Sequence, residues 1–274
     1  MSDDYFRSIV FPTDFSPQSS AAFAHALRMA VAARGLLHLL HIGGAGEPHD
    51  WSQFPHVRDT LADWGMIERG ASEAAVAERL GCDIRKALVK AHDPVNGIRS
   101  YLELHRCDLL ILATHASALQ RLLLGSTAEA AAQAAGTPAL FLRDGQKGFV
   151  DAGTGEMRLR LVLMAVDLTD AAEPAWLWLS RAAARLDPAC RIRLLHVGEA
   201  APRLGASAPA VELRHGPVAE TIIDHAREIG ADLIAMPTSG LQGWTQALKG
   251  SVSAKVIHGA DQPVLVIPAQ ALGG

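Results

Sequence analysis

Five short blocks of this sequence occur twice, in the same order, and that repetition constrains the fold more than anything else in the chain. RSIVFPTDFS (7–16) is answered by RLVLMAVDLT (160–169), each an apolar run ending at an aspartate, Asp14 and Asp167. LLHI (39–42) is matched by LLHV (194–197), and CDLLILATHA (107–116) by ADLIAMPTSG (231–240). LLLGST (122–127) pairs with ALKGSV (247–252), and TPALFL (137–142) with QPVLVI (262–267). The period is far too long for a solenoid, so the chain reads as a duplicated domain. Its 274 residues are enough for two ordinary cores. The stretch RDGQKGFVDAGTGEM (143–157) is glycine-rich and polar and reads as the linker. The expected domains are therefore 1–147 and 148–274.

Within each half, apolar strand-like runs alternate with helical patterns. Phe23, Leu27, Ala30 and Val31 share one helical face, and Ser16 followed by Pro17 offers a helix start. About five strands and four helices per half imply a parallel sheet covered on both faces. In the order 3-2-1-4-5, strands 1 and 4 flank the switch point, where ligands bind beyond the strand C-termini. The aspartate turn ends strand 1 and a loop of small residues ends strand 4, so the two unusual loops converge there. Gly125-Ser126 and Gly250-Ser251 each precede a helix, whose N-terminal N–H groups and dipole favour phosphate. Either pair would equally serve as a turn and an N-cap, and either aspartate as a cap for the following helix.

Composition excludes several classes. The net charge of −4 gives no reason to expect nucleic acid, and no apolar run is long enough to span a membrane. Three cysteines, widely spaced, fit small core residues in a reducing cytoplasm. The twelve histidines show no metal-ligand spacing, and His38 and His41 fall on opposite faces of one strand, so no structural metal is expected. Walker, dinucleotide and nucleophile-elbow motifs are absent.

On PTDFS, ATHA, LLLGS and a terminal apolar strand, the chain resembles the universal stress protein family over nearly its whole length, as two copies. The resemblance implies two tandem Rossmann-like, adenine nucleotide alpha hydrolase-like domains in a cytoplasmic stress-response protein. It implies ATP or another adenine nucleotide, with Mg, as ligand. The family's motif is Gly, two residues, Gly, nine residues, then Gly-Ser or Gly-Thr. The second half matches with Gly240, Gly250 and Ser251, but has Pro237 at the first glycine. The first half has Ala113 and Ala116 at the glycine positions and one residue fewer before Gly125. Carried over, the binding residues are Asp167, Val197, Gly240, Gly250, Ser251 and Val252 in the second half. The weaker first-half set is Asp14, Ile42, Thr114, Gly125, Ser126 and Thr127. Alanine where the loop needs positive φ costs about 1 kcal/mol or more, which ranks the second site above the first. The fifth strands are apolar edges that seek partners. The resemblance implies pairing between domains or subunits, as an intramolecular pseudo-dimer and a homodimer. The chain reads as a nucleotide-sensing or scaffold module rather than a turnover enzyme. A ligand-free scaffold with both sites degenerate and a slow ATPase are the alternatives.

Overall fold

The computed structural model describes residues 5–43, 51, 54, 56–114, 136–146, 148–238 and 252–272. The first half runs β1 (Ser8–Pro12), α1 (Ser20–Ala33), β2 (Leu36–Gly43), α2 (Val57–Asp63), α3 (Glu73–Leu80), β3 (Asp83–Lys90), α4 (Pro94–Leu104), β4 (Leu109–Thr114) and β5 (Ala139–Arg143). The second half runs β6 (Leu161–Ala165), α5 (Ala172–Leu186), β7 (Arg191–Val197), β8 (Val211–Arg214), α6 (Val218–Glu228), β9 (Leu233–Thr238), α7 (Val252–Gly259) and β10 (Val264–Pro268).

The strands form one ten-stranded sheet in the order β3-β2-β1-β4-β5-β10-β9-β6-β7-β8. Each half has the expected 3-2-1-4-5 order and is parallel throughout. The two sheets do not end separately. β10 pairs antiparallel with β5, setting Val264, Leu265 and Val266 opposite Phe141, Leu140 and Ala139. The apolar fifth strands thus find their partner inside the chain. Phe141, Leu140, Val264 and Leu265 are all buried there, each such side chain contributing ~1.5–3 kcal/mol.

The alternation of a strand distributes residues to two layers. Ile9, Phe11, Leu37, Leu39 and Ile111 face α1, joined by Val162, Met164 and Leu194 against α5. Val10, Leu40 and Leu110 face α4, joined by Leu163, Leu195 and Ile234 against α6 and α7. Phe23, Leu27 and Ala30 of α1 are buried as the helical pattern predicts, with Val31 at the margin.

Two local expectations need correction. Ser16 does not cap a helix with its hydroxyl. A short 3-10 turn, Pro17–Ser19, precedes α1, and Ser16 is itself held by Asp14, whose Oδ1 accepts from the Ser16 N–H at 2.9 Å. Nor is 143–157 a loose polar tether. Phe149 and Val150 are buried, and Val150 bridges back to Met157. Trp64 Nε1–H donates to Ala152 O and Arg28 Nε–H to Gly155 O, both at 3.0 Å. The apolar pair within the polar stretch pulls the junction onto the α1 layer.

Candidate functional site

The strand register builds a matching row of residues at the switch point of each half. Pro12 pairs with Leu40 on β2, and Val10 with Leu110 on β4. Counting on in that register brings Asp14 abreast of Ile42 and Thr114. Ala165 pairs with Leu195, and Met164 with Ala235, which brings Asp167 abreast of Val197 and Thr238. The ladder does continue past the strand ends in both halves. Thr13 N–H donates to Leu40 O and Val166 N–H to Leu195 O, each at 2.8 Å.

A histidine braces each aspartate loop from strand 2. His41 Nδ1–H donates to Thr13 O and His196 Nδ1–H to Val166 O, each at 2.8 Å. The carbonyl acceptor fixes which ring nitrogen carries hydrogen. The repeat LLHI/LLHV held this signal, since both histidines stand just before the predicted strand-2 site residue.

The aspartates are exposed, and each turns its loop with Oδ1. Asp14 accepts from Ser16 N–H, whereas Asp167 accepts from the Thr169 N–H at 3.1 Å and the Thr169 hydroxyl at 2.5 Å. Ile42 and Val197 lie at the margin of the α4/α6 layer. Val252, the first residue of α7, packs on that same layer. Gly125, Ser126, Thr127, Gly240, Gly250 and Ser251 lie outside the described residues.

The two rows differ in their threonines. Thr114 is half-buried and its hydroxyl donates to Leu142 O at 3.4 Å. Thr238 is buried, and among the described residues its hydroxyl has no hydrogen-bond partner. A buried hydroxyl without a partner costs about 1–3 kcal/mol, so it is a place where a bound polar group gains. Thr238 is not among the second-half residues that the motif predicts, although it stands opposite Thr114 in the repeat.

The aspartate loops also differ on the α1/α5 side. In the first half Phe15 adopts φ of 63°, a left-handed conformation rare for a bulky residue. It stacks on His41 with centroids 4.2 Å apart, and Trp51 meets it edge-on at 5.0 Å. Lys86 Nζ lies 5.4 Å from the centroid of Trp51. The corresponding Leu168 is 65% exposed. The first loop is therefore locked by aromatic packing, and among the described residues no aromatic ring packs on the second. A cleft of about 1150 Å³ lies beside Leu168, between the halves, lined among others by Phe6, Thr137, Asp170, Leu177 and Arg203. Asp167, Val197 and Thr238 do not line it.

Among the described residues no group of three His, Cys, Asp or Glu could hold a metal ion, and no helix is long and apolar enough to cross a membrane.

Comparison with known proteins matches the Universal stress protein family to residues 6–143 and 198–268. The first segment takes in Asp14, Ile42 and Thr114; the second takes in Thr238 but begins just past Val197. Over 55 residues the chain is 46% identical to a universal stress protein of Synechocystis sp., a match spanning 20% of this chain and 35% of that protein's length. A universal stress protein from Archaeoglobus fulgidus superposes with a TM-score of 0.63 at 20% identity, covering 96% of this chain and 97% of the other. A functionally unknown protein from Pseudomonas aeruginosa PAO1 does so with 0.60 at 15% identity, covering 98% and 95%. These two likenesses are likenesses of fold.

Proposed function

The chain belongs to the universal stress protein family, and from that premise we propose that its second half binds an adenine nucleotide. The protein then works in the stress response as a nucleotide-sensing or scaffold module, built of domains 1–147 and 148–274, and not as a turnover enzyme. Its proposed place is the cytoplasm.

One observation carries the reading: the row Asp167, Val197, Thr238, with the Thr238 hydroxyl buried and unpartnered among the described residues. The residue types suit a nucleoside. An exposed carboxylate accepts from a ribose hydroxyl or an adenine amine, an aliphatic residue lies along a base, and a hydroxyl serves a polar edge. Phosphates would meet Gly240, Gly250 and Ser251 ahead of α7, where glycine admits close backbone approach. With ATP, a Mg ion would supply countercharge to those phosphates.

The same considerations separate the halves. Thr114 already donates its hydroxyl to Leu142 O, and Ala113 and Ala116 replace glycines. We assign the first half no nucleotide.

Calorimetry with ATP and AMP on the full chain, beside mass spectrometry of the denatured protein, tests this. One site per chain is expected. Asp167→Ala should weaken it about tenfold or more, the scale of a hydrogen bond to a charged group, while Asp14→Ala leaves it unchanged. No heat with either nucleotide and no copurifying ligand would sink the reading in favour of a ligand-free scaffold.

A further inference from the structure

The helix that begins beside Gly250-Ser251 is held at its other end by the first half of the chain. Ala260 follows α7, and its N–H closes the last turn on Val256 O at 2.9 Å. Its carbonyl accepts from Arg143 Nη2 at 2.5 Å and from Gln146 Nε2 at 3.3 Å. Carbonyls at a helix C-terminus lack intrahelical partners and form the negative end of the dipole, so a guanidinium and an amide make a fitted cap.

The cap is itself braced. Gln146 is buried, and its Oε1 accepts from the Arg143 N–H at 2.9 Å, so the two residues fix each other. Asp261 lies 3.9 Å from Arg143 and accepts from Arg227 of α6 at 2.9 Å. Towards the first half, Asp144 N–H donates to Thr114 O at 2.9 Å. The repeat sets Pro268 and Ala271 at the places of Arg143 and Gln146. Neither has a side-chain donor, so the first half holds the second half's helix and these positions return no such hold.

We propose that Arg143 and Gln146 are positioning residues for the nucleotide site of the second half. They fix where Val252 and the N-terminal end of α7 stand, and with them the positive end of the helix dipole that would face the phosphates. This rests on the nucleotide reading above. α7 has eight residues, about 12 Å of rigid helix. Displacement at its C-terminus therefore reaches its N-terminus with little absorbed between.

The experiment is titration calorimetry of ATP and of adenosine on the full chain carrying Gln146→Leu or Arg143→Met. Melting temperatures without ligand are recorded alongside. Both variants should bind ATP about tenfold more weakly, equivalent to ~1.4 kcal/mol, and adenosine within about twofold of the unmodified chain. Arg143→Lys, which keeps a donor for Ala260 O, should restore ATP affinity to within about twofold. A fitted core role alone would lower the melting temperature and leave both affinities unchanged. ATP affinity unchanged in both variants, or an equal loss for ATP and adenosine, overturns the positioning role and leaves the nucleotide reading standing. An unmodified chain that binds neither ligand overturns both.

Discussion

Replacing His25 with glutamine should uncouple the stability of this protein from acid in one pH interval. His25 sits on α1 with no exposed surface. Its Nδ1–H donates to Ala21 O at 2.7 Å, and Nε2 accepts from the N–H groups of Phe149 and Val150 at 3.0 and 3.1 Å. Only the neutral ring can do this, because a proton on Nε2 would face two donors. Burial lowers the pKa from 6.5 to about 4, against the raising effect of the bond to Ala21. The folded state thus binds fewer protons than the unfolded chain between those values. Stability is full above about 6.5, falls as pH drops towards 4, and is lost no further below. At 1.36 kcal/mol per unit the interval is worth about 3 kcal/mol. In His25→Gln the amide oxygen can stand in for Nε2, but the amide N–H group cannot then also reach Ala21 O and is left buried without that partner, so the variant should be ~1–3 kcal/mol less stable at pH 7. Urea unfolding of both proteins at steps from pH 7.5 to 4 measures the difference. The difference should shift by about 3 kcal/mol in the variant's favour, enough to cancel or reverse the gap, since the other titrating groups are common to both. Parallel curves over that range would show that His25 does not carry a proton-sensitive hold on the junction.

Two further outcomes follow from the same structure. Gly148 has φ of 65°, and a Cβ there would strike the His25 imidazole, so Gly148→Ala should cost more than about 2 kcal/mol. Gly145, at φ of 74° with nothing within 4 Å, is the control; its alanine variant should cost only about 1 kcal/mol in urea unfolding. Burial, with the nearby carboxylate Asp83 acting in the same direction, pushes the Cys82 thiol up to about 12, and burial takes Cys107 to about 12 as well. Burial and the carboxylates Asp187 and Asp232 take Cys190 to about 11. At pH 8 the thiolate fraction is then at most ~0.1%, so a disulfide reagent should label the native chain slowly and all three thiols at once on unfolding. Rapid labelling of the native protein would contradict this burial.

Most of the sheet was legible because strand alternation and repeat both act locally. The blocks at Asp14 and Asp167 fall on the same strand end, and LLHI and LLHV on the same second strand. The junction was not legible. Glycine and charge dominate 143–157, yet Phe149 and Val150 decide its path by finding His25 in the second turn of α1. That His25 would be their acceptor depends on a contact 124 residues away, which no local pattern encodes. Thr238 is readable from its place opposite Thr114 in the repeat, but the glycine motif itself does not include that position. The locked conformation of Phe15 could not be read, since positive φ at phenylalanine runs against its own preference and is imposed by His41 and Trp51.

The seam explains how two copies of one fold can differ in chemistry without cost to folding. The halves are joined through Ala139–Phe141 and Val264–Val266, in the middle of the sheet. The rows that bear Asp14 and Asp167 lie at strand C-termini. Because β5 and β10 run antiparallel, those C-termini point to opposite ends of the sheet. A change in one row therefore perturbs neither the seam nor the other row directly. What couples them is the junction, where Thr114 O, Asp144, Arg143, Gln146 and Ala260 form a continuous run of contacts. Whatever its own row binds, the first half has a task in this arrangement: it buries an edge that the second half would otherwise expose, and it holds the far end of the second half's helix.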